Sequence, residues 1–200
     1  MSTKSIEILT EEFNKLPTIG KKTAQRLAFA VLEMEREEVE VFAKALIEVK
    51  DKVRKCSVCG NFSEEEICVI CSDGSRDHQT ICVVEDSKDI SALERAKSYK
   101  GIYHVLHGKI APLSGKNLDQ LNIQTLVERV DKNGVKEVIM ALNPDLEGET
   151  TSMYLTKLLK NFDIRISRIA SGIPMGGNLE YSDMATLIKS LEGRRDLKDE

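Results

Sequence analysis

Hydrophobic positions along this chain fall into three regimes. In the first fifty-odd residues they recur at helical spacing. Ala24, Leu27, Ala28 and Val31 mark a helix opening near Lys21, and Val39, Phe42, Ala43, Leu46 and Val53 mark a longer one ending near Lys55. From Cys56 to His78 neither the helical nor the strand period holds, and the segment is too short and too polar to bury a core of its own. From Gln79 short apolar runs alternate with helical stretches. Runs at 80–85, 102–106, 136–142 and 164–169 are separated by helical patterns at 88–97, 118–130 and 149–161, and a last helix is expected over 183–191. The first three runs are almost continuously apolar, as parallel strands covered on both faces must be. The predicted fold class is therefore α/β, in a multi-part chain: a helical region at 1–55, a cysteine-rich insert at 56–78, a parallel α/β domain at 79–170, and a glycine-rich loop with a closing helix at 171–200.

Composition adds limits. With 41% hydrophobic and 31% charged residues among 200, the chain reads as an ordinary globular protein. Its start lacks the apolar core of a secretory signal and no apolar run is long enough to span a bilayer, so a soluble, cytoplasmic protein is expected, with no membrane partner. A formal net charge of −4 argues against coating nucleic acid by bulk charge, and aromatic residues at 4%, with no Trp, argue against a stacking platform for single-stranded bases. Phosphate binding would need a local patch. Residues 14–32 supply one: they contain no acid and carry Lys15, Lys21, Lys22 and Arg26.

The cysteine spacing is the most specific chemical signal. Cys56-x-x-Cys59 and Cys68-x-x-Cys71 form two knuckles eight residues apart, the supply of four thiolates that tetrahedral zinc takes. Four protein ligands close the coordination shell, so the metal is structural and not catalytic. Gly60 suits the tight turn after the first knuckle. The fifth cysteine, Cys82, lies in an apolar run and reads as a small buried hydrophobe. His78, His104 and His107 have no identifiable partner.

In the helical region, Leu16-Pro17-Thr18-Ile19-Gly20 runs into the helix of Lys21, Lys22 and Arg26. A tight turn that ends at a helix N-terminus presents open backbone amides, and Lys22 and Arg26, four apart, project from one face. This is the layout of a helix-hairpin-helix element, which grips the DNA backbone without reading sequence. Thr18 stands where many such hairpins carry Gly. In the α/β domain, Glu85 ends the first strand and Asn143-Pro144-Asp145-Leu146-Glu147-Gly148-Glu149 follows the third, so the two are expected to meet at the carboxyl edge of the sheet. A carboxylate with such a loop resembles the magnesium site of the Toprim domain. Asn143, however, replaces the first Asp, which leaves Glu85, Asp145, Glu147 and Glu149 with room for weak magnesium binding but a doubtful cleavage site. Glu147 and Glu149 also suit a helix N-terminus without any ligand.

Taken in order, the hairpin with Ala24-Gln25-Arg26-Leu27-Ala28-Phe29, the knuckles, Asn143-Pro144 with Glu147-Gly148-Glu149, and Gly172-Ile173-Pro174 with Gly176-Gly177-Asn178-Leu179-Glu180-Tyr181 resemble the RecR family of bacterial recombination mediators along essentially the whole chain. Asn143 is itself expected in that family. The resemblance implies a non-enzymatic, zinc-containing DNA-binding protein of recombinational repair. It implies a ring of four copies that encloses DNA and acts with RecO and RecF to load RecA at gaps. Lys22 and Arg26 would contact DNA, the acids around Glu147 would face RecO, and the glycine-rich stretch would serve subunit contact. Two other readings compete: a magnesium-dependent Toprim nuclease or primase-like enzyme, and a zinc-stabilised interaction protein that never touches DNA.

Overall fold

The computed structural model describes residues 3–111 and 118–194. The chain divides into two compact units, one up to Val53 and one from Arg54 onward. The charged end of the 171–200 region, from residue 195, lies outside the described residues.

The first unit is helical: α1 (Lys4–Asn14), α2 (Lys21–Glu33) and α3 (Arg36–Lys52). α1, not assigned from the hydrophobic pattern, carries the half-buried Ile6, Leu9 and Phe13 at helical spacing and packs against α2. Only Ala24 and Ala28, small residues one turn apart on α2, are fully buried in these helices. That face lets the two helices approach closely. The chain turns between them through Ile19 N–H to Leu16 O (3.2 Å), and Ala24 N–H to Gly20 O (2.9 Å) closes the first turn of α2. Thr18 sits in this turn at φ 68°, the left-handed region that favours glycine. α3 begins with a capping box of Glu35 and Glu38 but buries none of its own residues; Phe42, Leu46 and Val49 stay exposed along it.

The second unit opens with a small antiparallel pair, β1 (Arg54–Lys55) and β2 (Phe62–Ser63), and a single helical turn, α4 (Val69–Ser72). The long helix therefore stops at Lys52, short of the expected Lys55, because Arg54 and Lys55 already pair with Phe62 and Ser63. The α/β part follows as β3 (Asp77–Val84), α5 (Ser87–Arg95), β4 (Gly101–Val105), α6 (Ile123–Lys132), β5 (Glu137–Met140), α7 (Leu146–Leu159), β6 (Arg165–Arg168) and α8 (Met184–Glu192). The four long strands pair in parallel, in the order β4-β3-β5-β6. Parallel pairing requires a crossover after each strand, and α5, α6 and α7 supply them. Ile81, Val83, Val84, Tyr103, Val105, Leu126, Val138, Leu155 and Leu159 fill the core at 0% exposure. β4 is buried throughout, as its continuous apolar run demands, whereas β5 buries alternate residues and leaves Glu137 and Ile139 half-buried. Among the described residues, no helix is long and apolar enough to cross a membrane.

The order matters because the chain moves outward in one direction from β3 to β4 and in the other from β3 to β5. The carboxyl ends of β3 and β5 thus flank a point where strand order reverses, and crevices for ligands form there.

Thr18 yields the first prediction. A β-branched residue held at positive φ costs about 1–2 kcal/mol, and glycine would return roughly 0.5–1 kcal/mol of that as lost chain freedom. Thr18→Gly should therefore slow hydrogen exchange of the α1 and α2 amides, with a gain of up to about 1 kcal/mol. Faster exchange would mean that the Thr18 side chain holds the turn.

Candidate functional site

Gly20 is the N-cap of α2 and offers no side-chain oxygen, so the amides of the first turn are not capped. A methyl group built on Gly20 would meet nothing within 4 Å, which leaves the approach to those amides open. Lys21, Lys22 and Arg26 are all exposed on this end of α2 and form no ion pair among the described residues. Lys22 and Arg26 line one shallow groove with Gln25 and Phe29. Backbone donors, the positive end of a helix dipole and three cations without ion pairs lie together here, the kind of surroundings that favour an anion.

The four knuckle cysteines converge in the second unit. Their sulfur atoms all lie within 4.8 Å of one another, and none is in a disulfide. Cys59 and Cys68 sulfurs are 3.6 Å apart, close to the roughly 3.8 Å that tetrahedral geometry with Zn–S bonds of about 2.3 Å requires. Backbone amides point at the sulfurs: Asn61 N–H reaches Cys59 Sγ at 3.4 Å and Cys68 N–H reaches Cys56 Sγ at 3.3 Å. Gly60 adopts φ 78°, and a Cβ there would come within 2.8 Å of Asn122 Nδ2, so both its backbone and its space demand glycine. The donor set fits zinc. Val105 N–H bonds Cys59 O at 2.8 Å, which anchors the first knuckle to the end of β4. His78 takes no part; its Nε2 lies 2.9 Å from Asp73 O.

Without a metal the crowded sulfurs hold their protons unevenly: hydrogen bonds with Cys59 and Cys71 keep the Cys68 thiol well below its ordinary range. The hydrogen bond with Cys68 pushes the Cys59 thiol up to about 12, and contacts with Cys59 and Cys68 push Cys71 up as well. Zinc must displace those protons, so its affinity falls as pH falls.

The acidic residues meet at the strand reversal, but not as a metal cage. Glu85 is 5% exposed at the end of β3. Asn143 covers both its oxygens: the backbone N–H donates to Oε1 and Nδ2 donates to Oε2, each at 2.7 Å. An Asp at this position would keep the backbone N–H but would set a like charge against Glu85 in place of the Nδ2 donor. Lys109, which the hydrophobic pattern and motifs do not single out, extends its ammonium into the cluster, 3.7 Å from Glu85, 4.0 Å from Glu147, and in direct contact with Asp145. Gly108 N–H bonded to Glu85 O, 3.2 Å, sets Lys109 there. Its position just past the second apolar run, at the same sheet edge as Glu85, was the available signal. Asp145 is also the N-cap of α7, accepting from Gly148 N–H at 2.8 Å. A Cβ on Gly148 would collide with the carbonyl of Asn143, so this loop requires glycine. Glu149 stands apart from the cluster. It accepts from Arg168 (3.0 Å) and Lys189 (2.7 Å), which fastens α8 to the sheet beside a cavity of about 460 Å³ lined by Asn143, Pro144 and Gly172.

Charge in the acid cluster is thus partly offset from within, by one ammonium among three carboxylates. Lys109 holds the Asp145 carboxyl below the usual range, and Asp145 raises Lys109. The depressed carboxyl contributes stability above its ordinary pKa and loses it as pH falls through its folded value. The raised ammonium contributes below its ordinary pKa and loses it only as pH rises through its folded value. The pair is intact across neutral pH and fails first in acid.

The two centres can be tested separately. Cys59→Ala should abolish stoichiometric zinc, read by atomic emission, and chelation of the unaltered chain should expose the Val105 amide to exchange; a protected Val105 would mean that the knuckle stands without metal. Lys109→Ala should lower the melting temperature by about 2–4 °C, the shift of roughly 1 kcal/mol in a chain of this size. Millimolar magnesium should restore part of that loss while leaving the unaltered chain unmoved. A magnesium response in the unaltered chain would show the cluster already open to a divalent cation.

Comparison with known families follows the same division. Residues 6–50 match the RecR helix-hairpin-helix, 53–73 the RecR four-cysteine zinc finger domain, 79–170 the Toprim domain, and 172–195 the RecR C-terminal region. The clustered cysteines are accordingly a structural zinc site and α1–α2 a DNA-binding helix-hairpin-helix. With all four parts present in this order, the chain belongs to the RecR family of recombination mediators in DNA repair.

Proposed function

We propose that this chain is a DNA clamp without catalytic activity, which acts with RecO and RecF to promote RecA loading at gaps. The observation that carries the reading is the open end of α2. There Lys21, Lys22 and Arg26 stand exposed beside uncapped amides and would hold DNA phosphates without reading bases. The acid cluster supports the absence of catalysis. Both oxygens of Glu85 are engaged by Asn143, and Lys109 stands among the remaining carboxylates, so Glu85, Asn143, Asp145, Glu147 and Glu149 serve as a structured surface for a protein partner.

Assembly into a ring of four copies completes the proposal. A chain with a net charge of −4 gains little from one small basic patch, whereas several patches facing one lumen raise the effective concentration of weak contacts. The exposed apolar residues of α3 and those of the C-terminal region, among them Leu179, Tyr181, Met184 and Leu191, are the surfaces that assembly would cover.

The test is a mobility-shift titration on labelled gapped DNA with magnesium, over a salt series, with each sample also run under denaturing conditions. The unaltered chain should give a salt-sensitive shift with intact strands. The double change Lys22→Ala with Arg26→Ala removes two phosphate contacts per copy. It should weaken binding at least about tenfold at moderate salt and flatten the salt dependence, with the oligomer size unchanged. Unchanged affinity would remove the hairpin from the DNA interface. Strand cleavage or extension that disappears in Glu85→Ala would replace the clamp by an enzyme.

A further inference from the structure

One buried charge in the second unit lacks a carboxylate. Arg129, on α6, is 5% exposed. Its Nη1 donates to the Tyr103 carbonyl at 2.8 Å and to His104 Nδ1 at 3.2 Å. His104 is fully buried, and its Nε2 lies 2.6 Å from the carbonyl oxygen of Asn122. A carbonyl only accepts, so Nε2 carries the proton and Nδ1 offers a lone pair; the ring is neutral. Burial, which holds the imidazole pKa down at about 3, agrees. Arg129 Nη2 is buried with no hydrogen-bond partner. A water molecule would satisfy that hydrogen bond but not the charge, and an uncompensated charge in such a place is costly.

A zinc-site cysteine lies on the same cavity as Arg129: Cys71 and Arg129 line a space of about 130 Å³ with Val58, His78, Ile102 and Val135. Cys71 is the one half-buried member of the cysteine set. Burial pushes the Arg129 guanidinium pKa down, and the nearby Cys71, Cys59, Cys56 and Cys68 act in the opposite direction. His78 on the cavity wall is occupied with the Asp73 carbonyl. Four thiolates around one Zn²⁺ leave a double negative charge, and partners beyond the ligands tune how tightly such a centre holds its metal.

We propose that Arg129 is the counter-ion of the zinc tetrathiolate, a positioning residue through which metal occupancy and the packing of α6 against β4 depend on each other. The proposal rests on the zinc reading of the cysteines and is independent of the DNA clamp. With zinc bound, the guanidinium offsets charge that the amides of Asn61 and Cys68 only partly screen. With zinc lost and the thiols protonated, Arg129 becomes a buried cation that shares its cavity with neutral sulfur. The Toprim core is then destabilised from inside, and loss of metal is felt well beyond the knuckles.

The experiment uses the full chain as Arg129→Met, which keeps much of the volume without the charge, and as Arg129→Lys, which keeps the charge. Zinc affinity is read by competition with a chromophoric chelator, and melting temperature is read with zinc and after chelation. R129M should bind zinc about 10–100-fold more weakly, and R129K should stay within a few-fold of the unaltered chain. R129M should also melt lower than the unaltered chain with zinc, yet higher without it, because the orphaned charge burdens only the metal-free state. A residue that merely packs would lower both melting temperatures alike and leave zinc affinity unchanged; either result overturns the proposal. If R129M folds in neither state, R129K decides: zinc held within a few-fold sustains the counter-ion role, and a loss of about tenfold or more ends it.

Discussion

The pairing of β3 with β4 on one side and β5 on the other is the constraint from which the second unit follows. Because every pair is parallel, each connection must cross over the sheet, and the helices that cross cover both faces of β3. The same pairing brings the end of β3 beside the end of β5, where the side chain of Glu85 is forced into the interior at the strand reversal. A carboxylate held there needs donors. Asn143, delivered by the register that sets Val83 opposite Met140, supplies two, and Lys109, delivered by the bond between Gly108 and Glu85, supplies a cation. The sheet topology creates the electrostatic problem, and the loops at its edge answer it.

Much of this was legible in the residues. Strand and helix alternated in the hydrophobic pattern because parallel strands must be continuously apolar and crossover helices amphipathic, and the cysteine spacing announced its own geometry. The left-handed turn at Thr18 was foreshadowed by the position of that residue between Pro17 and Gly20. What escaped were residues whose meaning depends on distant chain. α1 escaped for a different reason: Ile6, Leu9 and Phe13 do recur at helical spacing, but the helix buries none of its own side chains completely. Lys109 reads as one more surface lysine until the sheet sets it between Glu85 and Asp145. His104 and Arg129, 25 residues apart, show nothing of their contact in local pattern. Glu149 shared a motif with Asp145 and Glu147 but turns to Arg168 and Lys189, since on α7 it projects away from Asp145 toward β6 and α8.

The two charged centres in this unit differ in how their negative charge is met. A Toprim site with free carboxylates leaves negative charge for magnesium to neutralise, and the ion keeps open positions for waters and phosphate. Here Asn143 donates twice to Glu85, and Lys109 contacts Asp145 and lies 4.0 Å from Glu147, so an amide and an ammonium stand where a cation would. The zinc centre is closed by its four sulfurs. Both centres therefore contribute shape and charge to this unit.

That arrangement also bears on how the parts communicate. The four-cysteine centre touches the Toprim core through a backbone bond to Val105 and, at Cys71, shares a cavity with Arg129, while Arg129 bonds Tyr103 and His104 on the same strand, β4. β4 lies at one edge of the sheet and next to β3, whose end carries Glu85. A disturbance of the metal is thus two strands away from the acid cluster, through residues that are almost all fully buried and cannot shift singly without opening voids. The zinc module is best understood as part of the Toprim core's electrostatics and packing: the sulfurs, the guanidinium and the central strands form one unit whose stability is shared.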